Sequence, residues 1–461
     1  MENAELVAVQ RNYFNSKETL PYDFRISQLK KILDLTIKFE DQLLEALFKD
    51  LHKSKFEAWG VEVGLIQTEL KYFIGHLKKW MKPKRLSTPL FHIRAKSYIQ
   101  KVPYGNTLII APWNYPFLLA IRPLIGAIAA GNTAIIKPSE NAPFTAAVLE
   151  EMINKNFDKN YLHVINTNAE GTQDLLKQKF DFIFFTGGTN IGRHVYEAAA
   201  KHLTPVALEL GGKNPCIIDD TADLDITAAR ITMGAFSNCG QTCVTPDYIL
   251  VPEGLKEQLL EKIINKIEIS YGKDIKQSPD FGRIINTSHF DRITNLLKGQ
   301  NIIYGGITDR VEKYISPTII MDPDPNSPLM REEVFGPVLP IIGYTDLTKA
   351  LELIKNNPDP LVLYLFTKNN YLINKIAEEI RCGDMVINEV MLHFGHFKLP
   401  IGGVGNSGIG KYQGKYSFDE FSHKKSVMRK YFFPELNVRY PPYDKGKMKF
   451  LKSMFKWFMW R

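Results

Sequence analysis

The sequence predicts an α/β protein whose strands form parallel sheets. Two observations carry the prediction. Short apolar runs alternate with helix-length segments, and those runs are bounded by Gly, Pro or Asn as buried parallel strands are. A third, the length of 461 residues, calls for two or three packed units, since single cores stop growing well below that size.

Helices come first. Ile26, Leu29, Ile32, Leu33 and Ile37 recur at helical spacing, and Leu43, Leu44, Leu47 and Phe48 extend a similar face beyond Glu40. The stretch KKWMKPKR (78–85) breaks the pattern and marks a link. Strand candidates follow at TLIIAPW (107–113), TAIIKPS (133–139), YLHVIN (161–166), FDFIFFTGG (180–188) and NPCIIDD (214–220). A second strand–helix series runs from about Cys243 to Gly410, with IIGYTD, LVLYLFT and MVINEV as strands. Three strands of the first series end in PWN, KPSE and TGGTN, and α/β sheets bind ligands beyond the carboxyl ends of their strands.

The formal charge of +8 is not spread over the chain. Residues 423–461 hold eight Lys and three Arg against Glu435 and Asp444, so everything before them is nearly neutral. Basic character confined to a tail argues against a nucleic-acid enzyme. Four Cys are too few for a disulfide framework. The N-terminus lacks a basic stretch followed by an apolar one, and no apolar run is long enough to span a bilayer. These three features fit a reducing, cytoplasmic compartment.

Cys243 in NCGQTCVTP (238–246) sits just past a helical stretch (Ala228 to Phe236) among Gly, Thr and Pro. A lone Cys is most often a small buried hydrophobe. This setting exposes the thiol better than a core position would, but a free thiol still needs local help to attack a carbonyl. Cys239 stands four residues earlier. No further Cys or His pair completes a metal site with them, so no metal is expected, and His393 and His396 read as loop or pocket residues. Asn114 in APWNYPF (111–117) fits either an oxyanion donor or a turn residue before the next helix. Glu209 in LELGGKNP (208–215) fits either a base for a water molecule or a solvated carboxylate. One G-x-G-x-x-G occurs, at Gly403, Gly405 and Gly408, without the strand and apolar helix that give that motif meaning. FTGGTNIGRHV (185–195) is the better phosphate site, because a strand turns through Gly187 and Gly188 into a helix N-terminus.

Taken together, APWNYPF, KPSE, FTGGTNIG, LELGGKNP, GQTCVTPDY, EEVFGPVLPI and LPIGGVGNSGIGKYQGKYSFDEFSHKK resemble the aldehyde dehydrogenase superfamily, in particular its class-3 branch of fatty and aromatic aldehyde dehydrogenases. The blocks stand in family order up to about Tyr440. The resemblance implies a parallel-sheet nicotinamide-binding domain (1–82 and 106–208), an α/β catalytic domain (209–417), and bridging segments (83–105 and 418–440) that pair across a homodimer. It implies Cys243 as nucleophile, Asn114 with the Cys243 amide as oxyanion hole, and Glu209 as the base for hydrolysis. It places Lys137 and Glu140 at the adenosine ribose, Gly187 and Gly188 at the pyrophosphate, Glu333 and Phe335 at the nicotinamide ribose and ring, and Trp113 among the cofactor-binding residues. The cofactor implied is NAD, with some use of NADP. Tyr115 and Phe394 suggest an apolar tunnel for medium or long aliphatic or aromatic aldehydes. Two rival classes are a catalytically silent paralogue, against which Cys243 and Glu209 both stand, and a cofactor-free thiol hydrolase.

Residues 441–461 form a basic tail that these blocks leave unexplained. Leu451, Met454, Phe455 and Phe458 fall on one helical face, Lys449, Lys452 and Lys456 on another, with Trp457 and Trp460 nearby. The pattern fits an amphipathic helix lying on a membrane surface, and it also fits a helix packed over the dimer or capping the substrate entrance.

Overall fold

A computed structural model describes residues 2–89, 92 and 94–458. Two compact units emerge. One comprises Met1–Trp80 and Pro103–His423, the other Met81–Val102 and Lys424–Arg461.

The larger unit opens with a helix, Asn3–Asn15, followed by the expected helices Tyr22–Lys38 and Glu40–Leu51. Leu29, Ile32, Leu43, Leu44 and Leu47 are buried, whereas Ile37 and Phe48 face outward. The chain turns at Phe39, so the two helices are not one continuous face.

A six-stranded sheet runs Leu162–Val164, Thr133–Lys137, Asn106–Ile110, Phe182–Thr186, Val206–Glu209 and Gly408–Ile409. The first five are parallel and Gly408–Ile409 closes the edge antiparallel. Asn106–Ile110, Thr133–Lys137 and Phe182–Thr186 are buried along their whole length, as strands covered on both faces must be. The chain steps outward from Asn106–Ile110 to one side, then returns to Phe182–Thr186 on the other. That reversal opens a crevice between the carboxyl ends of these two strands, where PWN and TGG lie.

The second sheet has seven strands, in the order Ile302–Tyr304, Thr318–Met321, Val338–Tyr344, Tyr248–Pro252, Pro215–Ile218, Val362–Phe366 and Asp384–Ile387. Only its first pair is antiparallel. Pro215–Ile218 lies near the middle of this sheet, although in sequence it follows directly on the first series. The apolar run predicts a strand but not its partner, because pairing depends on contacts distant in the chain.

Helix Leu118–Ala130 is buried all round, in keeping with a sequence that is apolar apart from Arg122, whose charge is paired with buried Glu69. Its Gly126 faces the short helix Lys415–Glu420. A Cβ there would stand 2.8 Å from Ser417 Cβ and 3.0 Å from the Phe421 ring.

The smaller unit carries a three-stranded sheet, Lys84–Leu86, Ala95–Pro103 and Ser422–Lys430, and the helix Lys445–Phe458. The tail residue Trp460 lies outside the described residues. No helix among the described residues is long and apolar enough to cross a membrane.

Two glycines in helices give opposite expectations. Gly126→Ala should destabilise the protein by about 1–3 kcal/mol through overpacking. Gly75, exposed in Gly64–Trp80 with nothing within 4 Å of a Cβ, should gain roughly 0.4–1 kcal/mol as alanine. Thermal unfolding followed by circular dichroism checks both; a shared sign would contradict the packing described.

Candidate active site

Helix Leu224–Phe236, N-capped by the Asp223 carboxylate, delivers the chain to the Cys243 segment. Three successive residues then take left-handed backbone conformations, Asn238 (φ 52°), Cys239 (φ 55°) and Gly240 (φ 70°). Side chains pay a steric penalty there, so the turn needs outside support. Glycine is required at the third position. A Cβ on Gly240 would stand 2.2 Å from the Gly336 carbonyl oxygen, so this turn and the Glu333–Phe335 segment are pressed together.

Amide side chains supply the support. Gln241 Nε2 donates to Asn238 O (3.0 Å) and Arg283 O (2.9 Å), and its Oε1 accepts from Ile285 N (3.0 Å). Asn238 Nδ2 donates to Asn114 O (2.9 Å) and Gln241 O (3.1 Å). Asn114 Nδ2 donates to Gln241 O (3.0 Å), and Asn214 Nδ2 donates to Cys243 O (2.7 Å) and Thr245 O (3.0 Å). Asn114, Asn214, Asn238 and Gln241 are all buried. A buried amide left unpaired costs roughly 1–3 kcal/mol, so this set specifies one arrangement of the segment.

Cys243, partly buried, stands in the walls of two cavities. The first, about 220 Å³, lies in the crevice of the six-stranded sheet. It gathers Asn114, Glu209, Gly187, Gly188, Trp113, Glu333 and Phe335, all singled out in the sequence, beside Cys243. Trp113 meets Phe335 edge to face, with ring centres 5.3 Å apart. The second cavity, about 190 Å³, is walled by Tyr115, Leu118, Leu119, Met233, Val244 and Phe394 among others. Tyr115 and Phe394 thus do meet in one apolar space. Lys137 and Glu140 line neither cavity. They pair with each other, and Glu140 borders a separate depression beside Asn166–Asn168.

Several contributors carry no motif. His289 and Arg292, on helix Thr287–Leu296, line the first cavity. His289 lies 4.8 Å from the Trp113 ring, and Arg292 donates to the backbone oxygens of Glu333 and Val334. Buried Asp247 accepts from Val334 N (2.9 Å) and Asn214 N (3.2 Å), with Lys213 Nζ 3.5 Å away. The spacing of these residues is irregular, so only the folded chain brings them together. The G-x-G-x-x-G is structural. Its Gly408 pairs antiparallel with Glu209, a Cβ on Gly403 would strike Ser407 O at 2.0 Å, and none of its glycines lines the crevice.

The electrostatics favour protonated forms. Burial pushes the Cys243 thiol up, and the Glu333 and Glu209 carboxyls push it further, only partly offset by the amides of Cys243 and Val244. Burial likewise raises Glu209 well above the usual carboxylate range, Asp384 and Glu420 add to the rise, and Lys411 opposes it. Glu333 is raised by burial and by Asp247, against Arg292 and Lys213. One oxygen of each carboxyl, Oε1 of Glu209 and of Glu333, is buried without a hydrogen-bond partner. Among the described residues, no cluster of His, Cys, Asp or Glu could hold a metal ion.

Residues 3–427 match the model of the aldehyde dehydrogenase family. The chain is 48% identical to the 4,4'-diaponeurosporen-aldehyde dehydrogenase of Staphylococcus aureus, over 96% of this chain and 97% of that protein. It is 44% identical to aldehyde dehydrogenase family 3 member A2 of Rattus norvegicus, over 96% and 92%. A solved structure of Staphylococcus aureus AldH in a substrate-bound state superposes with a TM-score of 0.96 at 46% identity, covering 98% of this chain and 99% of that one. The fold, the crevice that gathers Cys243, Glu209 and Asn114, and the match along nearly the whole chain agree that this protein belongs to the aldehyde dehydrogenase family of oxidoreductases.

Proposed function

We propose that the protein oxidises medium- or long-chain aliphatic or aromatic aldehydes to carboxylic acids through a thioester on Cys243. The observation that carries this reading is the position of Cys243 in the common wall of an apolar cavity and a glycine-edged crevice.

The crevice residues fit a nicotinamide dinucleotide. Gly188 caps the twelve-residue helix Thr189–Ala200 and leaves open space where a Cβ would be, which suits the close approach of a pyrophosphate. Glu333 and Thr186 each present a buried oxygen without a partner. Gly211 brings its backbone close to Glu333, since a Cβ there would lie 2.0 Å from Glu333 Oε2 and displace that carboxylate. Glu333 and Phe335 would hold the nicotinamide ribose and ring, and Lys137 and Glu140 the adenosine side. Glu140 is already paired with Lys137 and would repel a 2′-phosphate, which favours NAD while leaving NADP usable. When bound, the cofactor supplies the two-electron acceptor.

The chain's own residues do the rest. The Cys243 thiol gives up its proton to solvent as its sulfur bonds to the aldehyde carbon, and the carbonyl electron pair moves onto oxygen to form the oxyanion. Asn114 Nδ2 has two hydrogens, one engaged by Gln241 O, and the second is available to the oxyanion beside the Cys243 amide. After oxidation, Glu209 takes a proton from water, which adds to the thioester and releases acid and thiol. A thiol raised by burial stays protonated in the resting enzyme, so its proton is lost as the carbon–sulfur bond forms.

The three-stranded sheet of the smaller unit supports a homodimer. This three-stranded sheet has almost no buried face of its own, and Leu86, Met428, Phe432 and Phe433 are exposed on or beside it. The helix Lys445–Phe458 supports contact with a membrane surface, because Met448, Phe450, Phe455 and Trp457 are exposed among its lysines.

Cys243→Ala should abolish aldehyde-dependent reduction of NAD, and Asn114→Ala should lower turnover roughly 10²–10³-fold; absorbance of the reduced cofactor reports both. Glu209 must be ionised to act and its carboxyl is raised, so turnover should fall with decreasing pH through a limb well above the ordinary carboxylate range. Glu209→Gln should remove steady-state turnover and keep a first-turnover burst. A limb near the ordinary value in the wild type would reject this role. Removal of residues 444–461 should weaken co-sedimentation with anionic liposomes; equal binding would rule out the membrane contact.

A further inference from the structure

The loop 391–399 supplies Met391, Phe394 and Gly395 to the apolar cavity, yet it has little structure of its own. It contains a single helical turn, Leu392–Gly395, entered through Met391 with a left-handed backbone (φ 63°). Leu392 in that turn is exposed, so packing alone does not anchor it.

Four carbonyl oxygens of the loop end on two side chains from elsewhere. Gln413 Nε2 faces His396 O (2.9 Å), His393 O (3.3 Å) and Leu399 O (3.4 Å). Arg122 Nη2 donates to Phe394 O (3.3 Å), with its guanidinium 5.9 Å from the Phe394 ring centre. The two anchors are tied together, since Arg122 Nη1 donates to Gln413 Oε1 (3.2 Å). Glu69 closes the circuit. Its Oε2 accepts from Arg122 Nε (2.8 Å) and its Oε1 from Gly414 N (2.9 Å). Arg122, Glu69 and Gln413 are fully buried.

A buried ion pair is a poor way to gain stability, because well-packed apolar residues do as well or better. It is a good way to hold one geometry. Here the geometry held is that of a cavity wall. Arg122 sits on the helix that gives Leu118 and Leu119 to the same cavity, so one circuit fixes two facing walls. Neither Arg122 nor Gln413 lines either cavity, so any effect on substrate passes through the loop.

We propose that Arg122 and Gln413 are positioning residues that set the chain-length preference of the enzyme by clamping the 391–399 loop against the apolar cavity. The proposal rests on reading that cavity as the aldehyde site. In Gln413→Met, side-chain length is kept, both amide N–H groups that face the loop carbonyls are lost, and the Arg122–Glu69 pair remains.

The measurement is kcat/KM for dodecanal relative to propanal at saturating NAD, with the rate of Cys243 alkylation by iodoacetamide recorded alongside. The ratio is expected to fall at least tenfold, chiefly through KM for dodecanal, while alkylation stays within twofold. A folded variant whose ratio stays within twofold of wild type, or which loses both aldehydes equally, overturns the proposal. Should Gln413→Met not fold, Arg122→Lys gives the same decision, since it keeps the charge opposite Glu69 but lacks the fork that reaches Phe394 O. Failure of the underlying aldehyde reading would show differently, as wild-type protein that reduces NAD with neither aldehyde.

Discussion

Where Cys243 stands depends on three consecutive left-handed residues, Asn238 to Gly240, and on the amide hydrogen bonds that hold them. An α-helix cannot place a thiol at the junction of two spaces, because its next turn would occupy one of them. The helix ends at Phe236, Ser237 is extended, and the left-handed turn then leads the chain to Cys243. Gly240 then lets the Gly336 carbonyl approach, which fixes Glu333 and Phe335 relative to Cys243. Asn114 belongs to the same lattice of bonds, so the candidate oxyanion donor and the thiol are registered by shared partners and not by separate supports.

The second constraint is electrostatic. Cys243, Glu209 and Glu333 crowd together, and both carboxyls push the thiol up. Like charges at short range in a poorly solvated pocket cannot all be present together, so the resting site holds protons in place of charges. This suits a proposed sequence in which a thiol loses its proton once and a carboxylate gains one later. Lys411 opposes the rise of Glu209, and its ammonium donates to Gly383 O, Gly402 O and Asp384 Oδ1.

Much of this was legible in the residues. The strands ending in PWN and TGG were visible as apolar runs with polar ends, and parallel sheets make such ends the place for ligands. Gly187 and Gly188 were readable because a strand, two glycines and a helix follow one another without interruption. The G-x-G-x-x-G at Gly403 lacked that context, and the fold uses it for close packing against Ser407 and Leu208. Asp247, Arg292, His289 and Gln413 were not legible. Each acts through a hydrogen bond, ring contact or ion pair to a segment distant in sequence, and no local spacing records that.

What the sequence determined by itself was the inventory: alternating strands and helices, a thiol at Cys243, carboxyls at Glu209 and Glu333, an amide at Asn114, and a tail that is basic and aromatic. Local propensity and motif order suffice for these, since each is written within a few neighbouring residues. Only the tertiary structure decided that Pro215–Ile218 joins the second sheet, that Cys243 borders two cavities, that the thiol is raised and not lowered, and that buried Arg122 and Gln413 hold a cavity wall. Pairing, burial and proton affinity are sums over neighbours brought together from across the chain, and those neighbours exist only once it has folded.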